Sequence, residues 1–278
     1  MRFTKMHGCG NDYVYVNGFL EKVGNKAELA RRVSDRHKGI GSDGVIFINP
    51  SEEAEFEMEM YNADGSEGKM CGNGIRCVGK YVYDHGMTDH TTVKVSTKAG
   101  IKTLELSVKD GKVNSVTVDM GSPLLTPADI PVTLPGERIV DHPYPFGGKE
   151  YRITCVSMGN PHCIVFTDDV DGLNLPELGP IFETDPIFPD RVNTEFIHVT
   201  DPKRMEMRVW ERGSGETEAC GTGACAAAVA GYLNGLTERK VTVKLLGGEL
   251  EIEYREDDGR IYMTGEAVTV YEGSIDQP

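Results

Sequence analysis

The chain has 278 residues, 39% of them hydrophobic and 26% charged, a balance that argues for a packed globular protein rather than a disordered one. Its 29 Lys and Arg against 44 Asp and Glu leave a net charge of −15, which argues against nucleic acid or an anionic membrane as partner. The opening Met1-Arg2-Phe3-Thr4-Lys5-Met6-His7 has no apolar core for a signal peptide, no apolar run could span a bilayer, and seven irregularly spaced cysteines are poor evidence for a disulfide framework, so a cytoplasmic protein is expected.

In chain order, Asn25-Lys26-Ala27-Glu28 reads as the capped start of a helix carrying Leu29, Ala30 and Val33 and ending near Gly39. Gly39-Ile40-Gly41-Ser42-Asp43-Gly44 formally matches a dinucleotide-binding glycine pattern. It follows a helix and leads into the strand Val45-Ile46-Phe47-Ile48, the reverse of the order that motif needs, and is read as a turn. Phe56, Met58 and Met60 alternate with Glu55, Glu57 and Glu59, a strand with one wet face. After Cys71 a helix is predicted from Ile75 to His85, stopped by a left-handed Gly86. Val93-Lys94-Val95 is a strand and Ala99-Gly100 a turn. The proline-rich stretch Pro123 to Pro145 reads as linker and edge structure. Met205, Met207 and Val209 alternate like the earlier methionines, and a second helix from Ala224 to Asn234, stopped by Gly235, is apolar all round and hence buried. Val241-Thr242-Val243 and Gly247-Gly248 repeat the strand and turn. Ile261 to Gly273 resembles Val113 to Gly121, so the terminal strands are expected to cross over to complete the sheets.

These parallels are a duplication. At a constant offset of 149 positions, Cys71-Gly72-Asn73-Gly74 falls on Cys220-Gly221-Thr222-Gly223, Gly10-Asn11 on Gly159-Asn160, Phe47-Ile48 on Phe196-Ile197, Tyr61 on Trp210 and Glu67 on Glu216. Two units of about 130 residues follow, few in helices and rich in strands, each a curved sheet around one buried helix.

The chemistry is expected at the repeated cysteines. Each lies in a glycine-rich turn just before a helix, where free N–H groups attract an anion and the helix dipole is expected to lower the thiol pKa toward neutrality. Cys77, Cys155, Cys163 and Cys225 have no such setting and read as small buried space-fillers. Zinc is not expected, since Cys71 and Cys77 would lie about 240° apart on a helix and Cys220 and Cys225 about 140° apart. Asn11 and Asn160 are equivalent positions, as are Asn62 and Glu211. Standing alone they would be turn residues, but their duplication beside the cysteines points to ligand contact. Arg212 could hold a carboxylate bidentately or be merely solvated, and His162 could tune a thiol or be structural.

Lys5-Met6-His7-Gly8-Cys9-Gly10-Asn11-Asp12, Tyr61-Asn62-Ala63-Asp64-Gly65-Ser66, Cys71-Gly72-Asn73-Gly74, Met158-Gly159-Asn160-Pro161-His162, Glu211-Arg212-Gly213 and Glu218-Ala219-Cys220-Gly221-Thr222-Gly223 together resemble the motifs of the diaminopimelate epimerase family. The resemblance implies an α+β fold of two homologous domains, each a curved or barrel-like, mostly antiparallel sheet around a central helix. Residues 1–117 with 265–278 would form one and 118–264 the other, with the active site in the cleft. It implies an isomerase that works without pyridoxal phosphate or any other cofactor and interconverts LL- and meso-2,6-diaminoheptanedioate in lysine and peptidoglycan precursor synthesis. By motif, Cys71 and Cys220 would be the acid/base thiols. Asn11, Asn62, Gly72, Asn73, Asn160, Asn193, Glu211, Arg212, Gly221 and Thr222 would bind substrate, and His162 and Glu211 would tune the thiols. One departure is visible: many members carry glutamine where this chain has Gly44. The expected partner is a small diamino dicarboxylic acid, with no nucleic acid, no membrane and no metal, and a homodimer is left open. The rival readings are a proline or hydroxyproline racemase, which also uses opposed cysteines, and, further off, a thiol redox protein, for which the chain lacks a Cys-x-x-Cys pair.

Overall fold

The computed structural model describes residues 1–276. They fall into two compact units: Met1–Asp119 together with the chain from Thr264 onward, and Met120–Met263. The first contains β1 (Arg2–Gly8), β2 (Asn11–Asn17), α1 (Lys26–Ser34), β3 (Gly44–Asn49), β4 (Phe56–Asn62), β5 (Glu67–Gly68), α2 (Gly72–Asp84), β6 (Thr92–Thr97), β7 (Gly100–Lys109) and most of β8 (Lys112–Gly121). The second contains β9 (His142–Phe146), β10 (Lys149–Ser157), β11 (Pro161–Phe166), α3 (Leu175–Glu183), β12 (Asn193–Asp201), β13 (Arg204–Glu211), β14 (Gly215–Glu216), α4 (Gly221–Leu233), β15 (Lys240–Leu245) and β16 (Gly248–Tyr254). The chain re-enters the first unit within β17 (Ile261–Glu266) and ends with β18 (Val268–Ser274).

Within the first unit β1 pairs antiparallel with β2 and β18. Then β2 runs parallel to β3, β3 antiparallel to β4, β4 parallel to β6, and β6 and β8 antiparallel to β7. The second unit repeats the scheme strand for strand: β10 antiparallel to β11, β11 parallel to β12, β12 antiparallel to β13, β13 parallel to β15, and β15 antiparallel to β16. Fold class is therefore mixed α+β with mostly antiparallel sheets. The terminal strand returns as expected, since β18 lies along β1, with Arg2 opposite Ser274 and Lys5 opposite Tyr271.

Among the described residues each unit carries two α-helices with different jobs. The glycine- and alanine-rich α4 packs on β10, β11, β12, β15 and β16, and every residue from Gly223 to Gly231 is buried. Small side chains are what permit this: sheet and helix approach closely only where no large side chain keeps them apart. Its counterpart α2 packs on β1, β2 and β7, with Ile75, Cys77 and Val78 buried. The other helix covers the outer sheet face. Leu29, Ala30 and Val33 of α1 meet Val14, Val16, Val45 and Phe47, while Phe182 of α3 stacks on Phe146 at 4.0 Å and meets Phe196 edge-on. Fully burying such a ring contributes about 1.5–3 kcal/mol.

Several expectations need correction. Helix α1 stops at Ser34 and not near Gly39, because Asp35 leaves the helical conformation and its carboxylate accepts from the N–H groups of His37 and Lys38. Helices α2 and α4 begin at Gly72 and Gly221, three residues before the predicted starts, since the cysteines themselves are the caps. The proline-rich stretch is not a bare linker. It belongs to the second unit, buries Ile130, Val132 and Ile139 in that unit's core, and ends in β9 on the edge of β10. Helix α3 was not anticipated at all, yet it stands 149 positions after α1, residue for residue at both ends.

Candidate active site

Cys71 is the N-cap of α2. Its backbone is extended (φ −130°, ψ 120°), and its Sγ accepts from the Gly74 N–H at 3.3 Å, as a serine or threonine cap would. The thiol donates to Asn11 Oδ1 at 3.0 Å. Asn11 is held at the start of β2 by its own donation to Asp43 Oδ2 at 2.6 Å, and the same oxygen accepts from the Asp12 N–H. Asn73 is buried in the first turn of α2, beside the half-buried Gly72. At the end of β4 the Asn62 side chain donates to Ser66 Oγ and its N–H to the Ser66 carbonyl, closing a turn. A Cβ at Gly44 would fall 2.1 Å from the Tyr61 carbonyl oxygen, so the paired β3 and β4 would have to shift to admit a side chain there.

Cys220 caps α4 in the same way, with φ −117° and ψ 106°, and its Sγ accepts from the Gly223 N–H at 3.4 Å. The Thr222 hydroxyl lies 3.5 Å from that sulfur and accepts from Asn160 Nδ2 at 3.3 Å. His162, fully buried on β11, reaches Asn160 Oδ1 through Nε2 at 3.1 Å and Glu195 Oε1 through Nδ1 at 2.7 Å. Asn193 at the start of β12 donates to the Pro161 carbonyl at 2.8 Å and accepts from the Arg212 N–H at 3.0 Å, tying β11, β12 and the end of β13 together. The Arg212 guanidinium is exposed and donates to the Asp190 carbonyl at 2.7 Å. Glu211 accepts from the Thr217 hydroxyl and lies beside the Cys220 thiol. Of the expected residues, Asn160, His162, Glu211, Gly221 and Thr222 thus gather at Cys220, and Asn11, Gly72 and Asn73 at Cys71.

The expected lowering of the thiol pKa values is overturned. Burial pushes the Cys71 thiol up, and the Gly74 and Asn73 N–H groups and Tyr13 oppose it only in part. Cys220 is pushed up as well: it is buried, and the carboxylates of Glu211 and Glu195 resist a second negative charge beside them. Burial also raises Glu211, against the pull of Thr217. The helix-terminal amides act in the expected direction, but desolvation outweighs them.

Sequence reasoning missed Tyr13, Asp43 and Glu195. Signals existed for two of them. Tyr13 falls on His162 at the 149-residue offset, and Glu195 is a lone carboxylate inside the buried run Asn193-Thr194-Glu195-Phe196-Ile197. Among the described residues no group of three or more His, Cys, Asp or Glu is placed to hold a metal ion, and no helix is long and apolar enough to cross a membrane.

A family model described as diaminopimelate epimerase matches residues 3–126 and 154–270, which takes in both caps and nearly all the residues above. This chain belongs to the diaminopimelate epimerase family. A diaminopimelate epimerase of Acetivibrio thermocellus is 58% identical over 276 residues, covering 99% of both chains, and one of Agathobacter rectalis is 56% identical over 99% of both. By fold, the chain is similar to a Bacillus anthracis phenazine biosynthesis protein of the PhzF family, with a TM-score of 0.72 at 16% identity over 99% of this chain and 98% of that one. It is also similar to a hydroxyproline epimerase of Agrobacterium vitis, with a TM-score of 0.68 at 16% identity over 98% and 91%. Those two likenesses concern architecture alone.

Proposed function

We propose that this member of the family interconverts LL- and meso-2,6-diaminoheptanedioate, in lysine and peptidoglycan precursor synthesis, with Cys71 and Cys220 as the acid/base pair. The observation that carries the reading is the duplicated cap: in a chain of this family, two cysteines hold the same position on the same helix of a repeated unit, each with its sulfur on a helix-terminal amide.

Removing an α-proton from an amino acid builds charge that must be stabilised. The amides opening α2 and α4 supply donors for a substrate carboxylate, and burial strengthens every such contact. One thiol must be a thiolate while the other is a thiol: the first takes the proton, the second returns one to the opposite face, and the roles exchange for the reverse reaction. Asn11, Asn62, Gly72, Asn73, Asn160, Asn193, Glu211, Arg212, Gly221 and Thr222 are the proposed substrate contacts, with His162 and Glu211 setting the thiols. The two homologous domains, residues 1–117 with 265–278 and 118–264, and a cytoplasmic homodimer belong to the same proposal. Sedimentation reading a monomer at working concentration would remove the dimer from it.

The decisive experiment follows α-deuterium uptake in deuterated water with 2,6-diaminoheptanedioate, proline and hydroxyproline in turn. Exchange confined to the diamino acid is expected, and exchange confined to a ring substrate would hand the site to the racemase reading. C71A and C220A should each fold and lose roughly 10²–10⁴-fold in turnover. Near-normal turnover by either would end the two-thiol scheme.

A further inference from the structure

We propose that Glu195 is a positioning residue for the reaction at Cys220, acting through His162 on Asn160 and Thr222; the inference rests on the function proposed above. Strands β11 and β12 run parallel, with Ile164 opposite Glu195 and His162 opposite Asn193. Because side chains alternate along a strand, this register puts Glu195 on the same sheet face as His162, and Phe196 on the other face with the α3 core. Both partners of the 2.7 Å Glu195–His162 contact are completely buried. A Cβ added to Gly223 would lie 2.5 Å from Glu195 Oε1 and 3.2 Å from Cys220 Sγ, so the carboxylate abuts the first turn of α4 beside the thiol.

Burying a carboxylate is costly unless it is paired, and even then an apolar pair of similar volume often serves stability as well. This chain contains its own control. At the 149-residue offset, Glu195 corresponds to Ile46 and His162 to Tyr13, both buried. The same strand register is therefore built without a charge in the first unit. The fold does not require Glu195, and its second oxygen, Oε2, has no hydrogen-bond partner. What the carboxylate does is orient. A carboxylate only accepts, so His162 donates from Nδ1 to Glu195, which fixes the ring and sets Nε2 against Asn160 Oδ1; that oxygen also accepts, so the ring donates at both nitrogens. The other end of that amide meets the Thr222 hydroxyl, 3.5 Å from the Cys220 sulfur. Glu211, on the neighbouring β13, is the other charged group facing this cluster.

The test uses the full-length enzyme with two substitutions, E195Q, which keeps the shape, and E195I, which installs the residue of the first unit. E195Q should melt near the wild-type temperature and E195I below it, since the His162 Nδ1–H loses its acceptor, while both should fold and bind substrate with nearly unchanged KM. In both, kcat should fall roughly 10- to 100-fold, the size of one charge-assisted hydrogen bond. In nitrogen-15 spectra the buried His162 Nδ1–H resonance should exchange slowly in the wild type, shift in E195Q and vanish from its bonded position in E195I. E195D should recover part of kcat. Wild-type turnover in E195I, or an unmoved Nδ1–H signal, would overturn the proposal. So would failure of both variants to fold, which would assign Glu195 to stability. A wild-type enzyme with no α-deuterium uptake would instead sink the assigned function, while the spectrum would still report on the Glu195–His162 contact.

Discussion

The two thiols share a cap geometry but not an environment. Burial raises both, and only Cys220 faces two carboxylates. Cys71 is half-buried, whereas Cys220 is buried beside those carboxylates, so iodoacetamide should label Cys71 ahead of Cys220, with little reaction of either at neutral pH. Peptide mapping that finds Cys220 labelled first would contradict this ordering. The sign for stability follows from the same shift. A thiol raised in the folded state contributes fully below its unfolded value, near 9.0, and that contribution is lost as pH climbs through the folded value. Asp12 has the opposite sign. Burial alone would raise it, but Arg36 at 2.9 Å and Lys5 hold it below its ordinary value of 3.8. Its contribution is present above the ordinary value and lost as pH falls through the folded one. Urea melts of D12N should accordingly lose less stability below about pH 4 than wild type. The cysteines were legible because they were duplicated in an unusual local setting. Their ionisation was not, because it depends on burial and on carboxylates 9 and 25 positions away along the chain.

Helices α2 and α4 were legible from their flanking cysteines and terminal glycines, which adopt φ of +66° at Gly86 and +69° at Gly235. Helix α3 escaped because Pro176, Gly179 and Pro180 oppose the propensities that mark a helix. Tertiary packing overrides them. Pro176 sits in the first turn, where its missing N–H costs nothing, and Gly179 lets the helix press onto the Trp210 ring. A Cβ at 179 would lie 2.2 Å from Trp210 Cδ2, whose indole is pinned by donation to Glu183 at 2.7 Å. G179A should therefore destabilise by about 1–3 kcal/mol despite alanine's better helix propensity, read as a lowered melting temperature. A melting point at or above wild type would show that the ring can yield.

Across the whole chain the first unit is closed by the last strand, since β18 occupies the β1 edge and Tyr271 packs edge-on to Phe3. Truncation before Val268 would uncover β1 along its length. Hydrogen exchange should then show lost protection in β1 and β2, while β10 to β13 keep theirs. Uniform loss across both groups would mean that the units do not unfold separately. Repetition and alternation act over a few residues or at a constant offset, so duplication, strand pattern, the cysteine just before each repeated helix and family were readable from the order of residues. The ionisation of the thiols, the crowding at position 44 and the carboxylate behind His162 were decided by packing. Desolvation and charge pairing depend on which distant segments become neighbours, and here it is the parallel pairing of β11 with β12 that brings Glu195 to His162.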